Sequence, residues 1–264
     1  MILVTGSNGF IGSHLVTYLE GKQEKVIKGV RNSDYNEDFL RGVDTIVHLA
    51  AYSKNDVNAD ISINVELTKS IRDIVLKVNP YIRVILASTC NVYKSSNFLM
   101  RENFTIEPRT EYEKSKLLSE EIILKLPNSK VARLSNVFGS NMSHGVLYDW
   151  KNLDKKYIVL NDKEPGSIRC FIHVNDVCDG IYRLIKTNRD KRIFNICGDW
   201  KYNTVNLKTI GSMMGIKTFF LNESENTIIQ PINELAFKEL GIEPKIKLST
   251  FLTDYTSTLS TSCL

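Results

Sequence analysis

A chain of 264 residues with 42% hydrophobic and 24% charged side chains holds enough apolar material for one large α/β domain, or for a main domain with a small appendage. Its net charge of +4 is a mild excess without a basic run, which argues against nucleic-acid binding and leaves only a local patch for an anionic small molecule. No apolar run is long enough to span a bilayer, no basic leader with an apolar stretch opens the chain, and five widely spaced cysteines (Cys90, Cys170, Cys178, Cys197 and Cys263) form no Cys-x-x-Cys pair, so a cytoplasmic protein with reduced thiols and no metal site is expected.

Residues 2–4 predict a strand and 10–20 a helix, with Ile11, Leu15, Tyr18 and Leu19 on one stripe. Strands are predicted at 25–30, 45–49 and 83–87, with a helix over 63–79 that Pro80 stops. A helix over 111–126 ends at Pro127, and a strand follows at 130–134. This β-α-β alternation implies a parallel sheet with helices on both faces. After about Gly139 the chain becomes loop-rich, with a strand at 157–160, a helix near 174–186 and a strand at 192–196. From Thr209 on, two short helices and a polar tail over 257–264 are expected.

The first strand runs into "VTGSNGFIGSHL", with glycines at Gly6, Gly9 and Gly12. Between a strand and a helix, Gly6 permits a tight turn, Gly9 lets a ligand approach the backbone, and Gly12 lets the helix pack close to the sheet. Free N–H groups at the helix start, helped by the helix dipole, suit a pyrophosphate, so the turn predicts dinucleotide binding. The end of the second strand should meet the adenosine ribose. It carries Arg31 and Asn32, and a basic residue there favours NADP(H) over NAD(H).

The glycine turn, together with the Tyr112-Glu113-Lys114-Ser115-Lys116 run, resembles the extended short-chain dehydrogenase/reductases, and within them the NAD-dependent epimerases and dehydratases that act on nucleotide sugars. Further segments resemble the family in order: "VHLAAY", "SINVELTKSI" with Asn64, "ASTCNVY", "RLSNVFG", "IRCFIHVNDV" and "ELGIEPKIKL". The resemblance implies an α/β, Rossmann-type doubly wound parallel sheet. Its dinucleotide-binding domain covers 1–139, with a return to it around 170–198, and a small C-terminal α/β substrate lobe covers 140–264. It implies that Gly6, Asn8, Gly9, Phe10, Ile11, Gly12, Arg31, Asn32, Leu49, Ala50, Ala51 and Asn64 serve the cofactor, NADP(H) or NAD(H), with Tyr112 and Lys116.

Tyr112 and Lys116 are four apart, on one face of a helix and about 6 Å of rise apart. A lysine cation beside the phenol favours the phenolate, and a phenol must be shifted from near pH 10 to act as a base at neutral pH. The resemblance implies that Tyr112 moves a proton at a sugar hydroxyl, that Lys116 holds the nicotinamide ribose, and that Thr89 hydrogen-bonds the reacting oxygen; Ser88 is expected to be structural. Asn136 and Arg169 match positions that touch the nucleotide diphosphate, and arginine suits two phosphate oxygens at once. His173 and Asp176 are expected to fix a turn and a helix start. Cys90 and the loop residue His144 are further acid/base candidates.

Two departures bear on the reaction. Family dehydratases carry Asp-Glu after the threonine, whereas Cys90 and Asn91 stand here, which argues against a 4,6-dehydratase. The stretch between Arg31 and Asp44 has room only for a brief helical turn, so the adenine pocket is simpler, with Asp38 and Phe39 as possible substitutes. The expected activity is an NAD(P)-dependent nucleotide-sugar epimerase or 4-keto-sugar reductase, with a catalytically silent NAD(P)-sensing protein as the alternative. The expected partners are a nucleotide sugar and a second copy of the chain, with no nucleic acid and no membrane.

Overall fold

The computed structural model describes residues 1–30, 36–52 and 62–257; Arg31, Asn32, Cys263 and the expected tail beyond 257 lie outside the described residues. β1 (Ile2–Thr5) enters the glycine turn, and α1 (Phe10–Gly21), β2 (Val26–Gly29), β3 (Thr45–His48), α2 (Ser62–Val78), β4 (Arg83–Thr89), α3 (Glu111–Ile123) and β5 (Ser129–Leu134) follow. The second half contributes β6 (Asn136–Phe138), α4 (Val146–Lys151), β7 (Tyr157–Asp162), β8 (Ile168–His173), α5 (Val174–Lys186), β9 (Ile193–Ile196), α6 (Trp200–Asn203), β10 (Thr204–Asn206), α7 (Leu207–Met213), β11 (Lys217–Ser224), β12 (Ile228–Ile229), α8 (Glu234–Leu240) and α9 (Leu248–Ser257).

Six parallel strands form the main sheet in the order β2-β1-β3-β4-β5-β9, with Ile2 paired to both Val26 and Thr45 and Val131 to Ile193. β1 and β3 are buried along their whole length, as strands covered on both faces must be, and this explains their continuous apolar runs. Leu15, Leu19, Ile181 and Leu184 of α1 and α5 cover one face. Ile71, Val75 and Ile123 of α2 and α3 cover the other. The sheet is α/β and doubly wound. α3 stops at Ile123, three residues before the expected end, because Leu126 N–H closes a tight turn onto Ile123 O at 2.9 Å ahead of Pro127.

β2 is the edge strand, and among the described residues no strand lies beyond it. Residues 37–42 make only turns. Asp38 pairs with Arg41 at 2.9 Å on the surface, and Phe39 packs against the core cluster of Leu3 and Ile46.

β8 pairs with β6, β10 and β12, and its lobe is filled by Phe138, Phe171, Leu207, Ile210, Leu248 and Leu252. The two short helices expected after Thr209 are present, but two strands that were not expected precede them. Besides the end of α7, the strands β11 and β12 and the helices α8 and α9 occupy this stretch. β11 takes its hydrogen bonds from β7, with Phe219 opposite Val159, a partner distant in sequence. α8 ends at Gly241 in the left-handed region (φ 65°), and Asp176 accepts the N–H groups of Lys245 and Ile246 at 3.1 Å, so the C-terminal motif docks onto α5. Among the described residues no helix is long and apolar enough to cross a membrane.

Candidate active site

The carboxyl ends of β1, β3, β4 and β5 open into one cleft of about 470 Å³. The chain turns from β1 to β2 on one side and reaches β3 on the other, so the cleft lies where ligands bind in open α/β sheets. Gly6 sits at φ 67°, and a Cβ there would lie 2.9 Å from Ala50 N. A Cβ on Gly12 would lie 2.1 Å from Gly6 O, a hard clash with backbone. Gly9 is the N-cap of α1 and supplies no side-chain cap, so the first-turn N–H groups are left to face an anion.

The helix carrying the tyrosine and lysine is fixed at its start. Thr110 caps it: Glu113 N–H donates to Thr110 Oγ1 at 3.2 Å, and the Glu113 carboxylate accepts the Thr110 N–H at 3.1 Å. The Thr110-x-x-Glu113 spacing is legible in the sequence and is what sets the first turn, where Tyr112 stands. Tyr112 and Lys116 both line the cleft. Lys116 is 5% exposed, donates from Nζ to Ala87 O at 2.9 Å, and sits 5.9 Å from the centre of the Tyr112 ring.

Burial lowers Lys116 to a pKa of about 8, against an upward pull from Glu120. Tyr112 departs from expectation. Burial of its hydroxyl, and then Glu113, push it up to about 12, so the protein alone favours the phenol and not the phenolate.

Thr89 ends β4 at the cleft, and its Oγ1 accepts Asn91 N–H at 3.1 Å, which leaves its own proton to donate onward. Ser88 donates to Glu120 and is held as a framework group. Asn91 lines the cleft. Cys90 does not: its Sγ donates to Arg133 O at 3.2 Å in the core, and burial pushes the thiol well up, so the acid/base expectation for Cys90 is corrected.

Leu49, Ala51, Phe10 and Ile11 line the cleft with the glycines; Asn8 is exposed and off its wall. Ala50 packs behind Gly6, and its N–H donates to Thr5 Oγ1 at 3.1 Å. Asn64 is buried behind the wall, where it accepts Tyr52 N–H at 2.7 Å and donates to Tyr52 O at 3.0 Å. Asn136 lines the cleft and donates to Cys170 O at 2.9 Å. Arg169 stands on β8 off the cleft wall; its Nε is buried without a hydrogen-bond partner among the described residues, and burial lowers its pKa. His144 lines the cleft from the loop before α4. His173 caps α5 by accepting Asn175 N–H at 3.2 Å, the turn-fixing part expected of it. Phe171, Met142 and Leu147 also line the cleft, which no local pattern in the chain predicts.

Residues 2–197 match the model of the NAD dependent epimerase/dehydratase family. The chain belongs to that family. It is an α/β protein of a family of NAD-dependent enzymes that modify nucleotide sugars. It is 32% identical over 216 residues to the GDP-6-deoxy-D-talose 4-dehydrogenase of Aggregatibacter actinomycetemcomitans, covering 74% of each chain. It is 30% identical over 247 residues to a putative UDP-glucose 4-epimerase of Methanocaldococcus jannaschii, covering 78% of this chain and 79% of that one. MoeE5, solved in complex with UDP-glucuronic acid and NAD, matches with a TM-score of 0.82 at 22% identity over 98% of this chain and 99% of its own, a likeness of fold.

Proposed function

We propose that the protein is a nucleotide-sugar oxidoreductase of the 4-keto-sugar reductase type, using NADP(H) or NAD(H), with Tyr112 as the proton donor. The convergence of Thr89, Tyr112 and Lys116 on the cleft into which the glycine turn opens carries this reading. The turn fits a dinucleotide because Cβ atoms at Gly6 and Gly12 would collide with backbone, which keeps the approach clear of side chains. When bound there, the nicotinamide supplies or accepts the hydride.

The protein's own groups move and steady the proton. A phenol held near pKa 12 is protonated at neutral pH, so Tyr112 stands ready to donate to a keto-sugar oxygen that is gaining negative charge. Thr89 donates to the same oxygen. Lys116, anchored on Ala87 O, keeps two further N–H donors for the nicotinamide ribose and the phenol. Among the described residues no aspartate or glutamate lines the cleft, which disfavours elimination of water. The relation to a 4-dehydrogenase supports oxidoreduction at C4. The relation to a putative 4-epimerase supports a second reading, in which the same hydride returns to the other face of the sugar. The sensor reading is disfavoured because cofactor binding alone has no need of Thr89. Arg31 inclines the cofactor to NADP(H). A homodimer would pair the α2–α3 face, where Leu76 and Leu118 are exposed.

Three outcomes are expected. Gly12→Ala raises the dinucleotide Kd at least about tenfold, measured by fluorescence titration, because its Cβ forces the turn apart. Arg169→Ala raises KM for the nucleotide sugar on the order of 10- to 100-fold with a much smaller change in kcat, as loss of a charge-assisted diphosphate contact requires. Dinucleotide affinity of the free protein falls as pH rises through about 8, where Lys116 loses its proton, and Lys116→Arg removes that limb. Unfolding does not mimic this loss. The unfolded chain binds the extra proton between about 8 and the ordinary lysine value, so this group makes the fold more stable as pH rises there.

A further inference from the structure

We infer that His48 is a positioning residue that ties the glycine turn to the helix of Tyr112 and Lys116, acting as the neutral ring with its proton on Nε2; the inference rests on the active site proposed above. His48 is 2% exposed at the end of β3 and does not itself line the cleft. Its partners fix its tautomer. Thr5, immediately before Gly6, accepts N–H groups from Leu49 at 3.2 Å and Ala50 at 3.1 Å. A hydroxyl oxygen has two lone pairs and one proton, and both pairs are taken. Its proton therefore goes to His48 Nδ1, 2.9 Å away. Nδ1 is then the acceptor, and the ring proton lies on Nε2, facing Thr68 Oγ1 of α2 at 3.2 Å.

The chain of hydrogen bonds continues into the catalytic helix. Thr68 has one proton for two acceptors, Ser119 Oγ at 3.0 Å and Asn64 O at 2.8 Å; with Ser119 donating to Ser115 O at 2.9 Å, that proton goes to Ser119. Ser115 donates to Tyr112 O at 2.8 Å and accepts from Asn64 Nδ2 at 3.4 Å. Ser115 and Ser119 flank Lys116 on α3. A protonated ring would set an N–H against the Thr5 hydroxyl proton and break the order at its first link. Burial, and then the Lys116 charge, oppose that protonation and hold His48 down at about 3. One imidazole thus sets the spacing between the backbone that cradles the cofactor and the side chains that handle the proton.

Long-range proton–nitrogen correlation on the ligand-free wild-type protein is expected to find the Nε2–H tautomer of His48, unchanged between about pH 5 and 9. The signal is identified by its loss in His48→Gln. An Nδ1–H tautomer, or titration in that range, overturns the inference. This readout needs no turnover, so it stands or falls apart from the proposed reaction. In kinetics, His48→Leu is expected to lower kcat on the order of 10- to 100-fold with KM for the sugar changed less than about twofold, and His48→Gln, which keeps a donor toward Thr68, to recover most of it. Wild-type kcat in a folded His48→Leu also overturns it. If that variant does not fold, the wild-type tautomer decides.

Discussion

Tyr112→Phe is expected to lower kcat for reduction of a 4-keto nucleotide sugar by about 10²- to 10⁴-fold, the usual worth of a positioned proton donor. Dinucleotide affinity should stay within about threefold of wild type, because the ring remains and only the hydroxyl is lost. The size of the loss follows from the environment. The cleft makes the phenol a poor base on its own, and burial and Glu113 both hold the proton on it. A neutral donor already in place needs no help to reach its working form in the direction of reduction. In oxidation the same phenol must first be lowered, and only a nearby cation opposes the burial. Lys116, 5.9 Å from the ring centre, is one such cation. The pH–rate profiles of the two directions should therefore differ, with oxidation rising further into alkali until Lys116 discharges.

Glu120→Leu is expected to destabilise the fold by about 3–5 kcal/mol, read as a lower denaturant midpoint, because it strands a buried guanidinium. Glu120 and Arg133 are 2% and 4% exposed and meet through Arg133 Nη2 at 2.7 Å and Arg133 Nε at 3.0 Å. Burial alone would depress the guanidinium, but the Glu120 bonds outweigh it and hold Arg133 above its ordinary value. Arg133 also donates to Tyr93 Oη at 3.0 Å and Glu102 O at 3.2 Å, so the pair joins β5, α3 and the segment after β4. The double variant Glu120→Leu with Arg133→Met should regain much of the loss, since removing both charges leaves neither uncompensated. Activity should fall in the single variant beyond what stability explains, because Ser88 and Glu120 brace the strand end that presents Thr89.

The parts that govern the cleft were the most legible. The glycine turn has a physical cause that the spacing announces, since a Cβ at Gly12 would lie 2.1 Å from Gly6 O and one at Gly6 would lie 2.9 Å from Ala50 N. Tyr112 and Lys116 share a helix face because helical periodicity alone dictates it. What failed depended on distant partners. β11 exists because β7 lies alongside it, and nothing local to Lys-Thr-Phe-Phe-Leu names that neighbour. Cys90 lies next to Thr89 in sequence yet faces the core, because the chain leaves β4 in a tight helical turn over Cys90–Val92. The direction of the Tyr112 shift turned on burial, which spacing does not encode. The Thr110–Glu113 capping box was the opposite case, a local signal present in the sequence and decisive for where α3 begins.

The proposed reaction moves a hydride between a nicotinamide and the C4 carbon of a nucleotide sugar in this cleft. The direct measurement supplies a dinucleotide deuterated at its reactive carbon together with a 4-keto nucleotide sugar, and locates the label in the product by mass spectrometry and NMR. One deuterium at C4, absent with Tyr112→Phe, is the expected result. Turnover that leaves C4 unlabelled, or a product labelled equally well by the phenylalanine variant, would contradict the account.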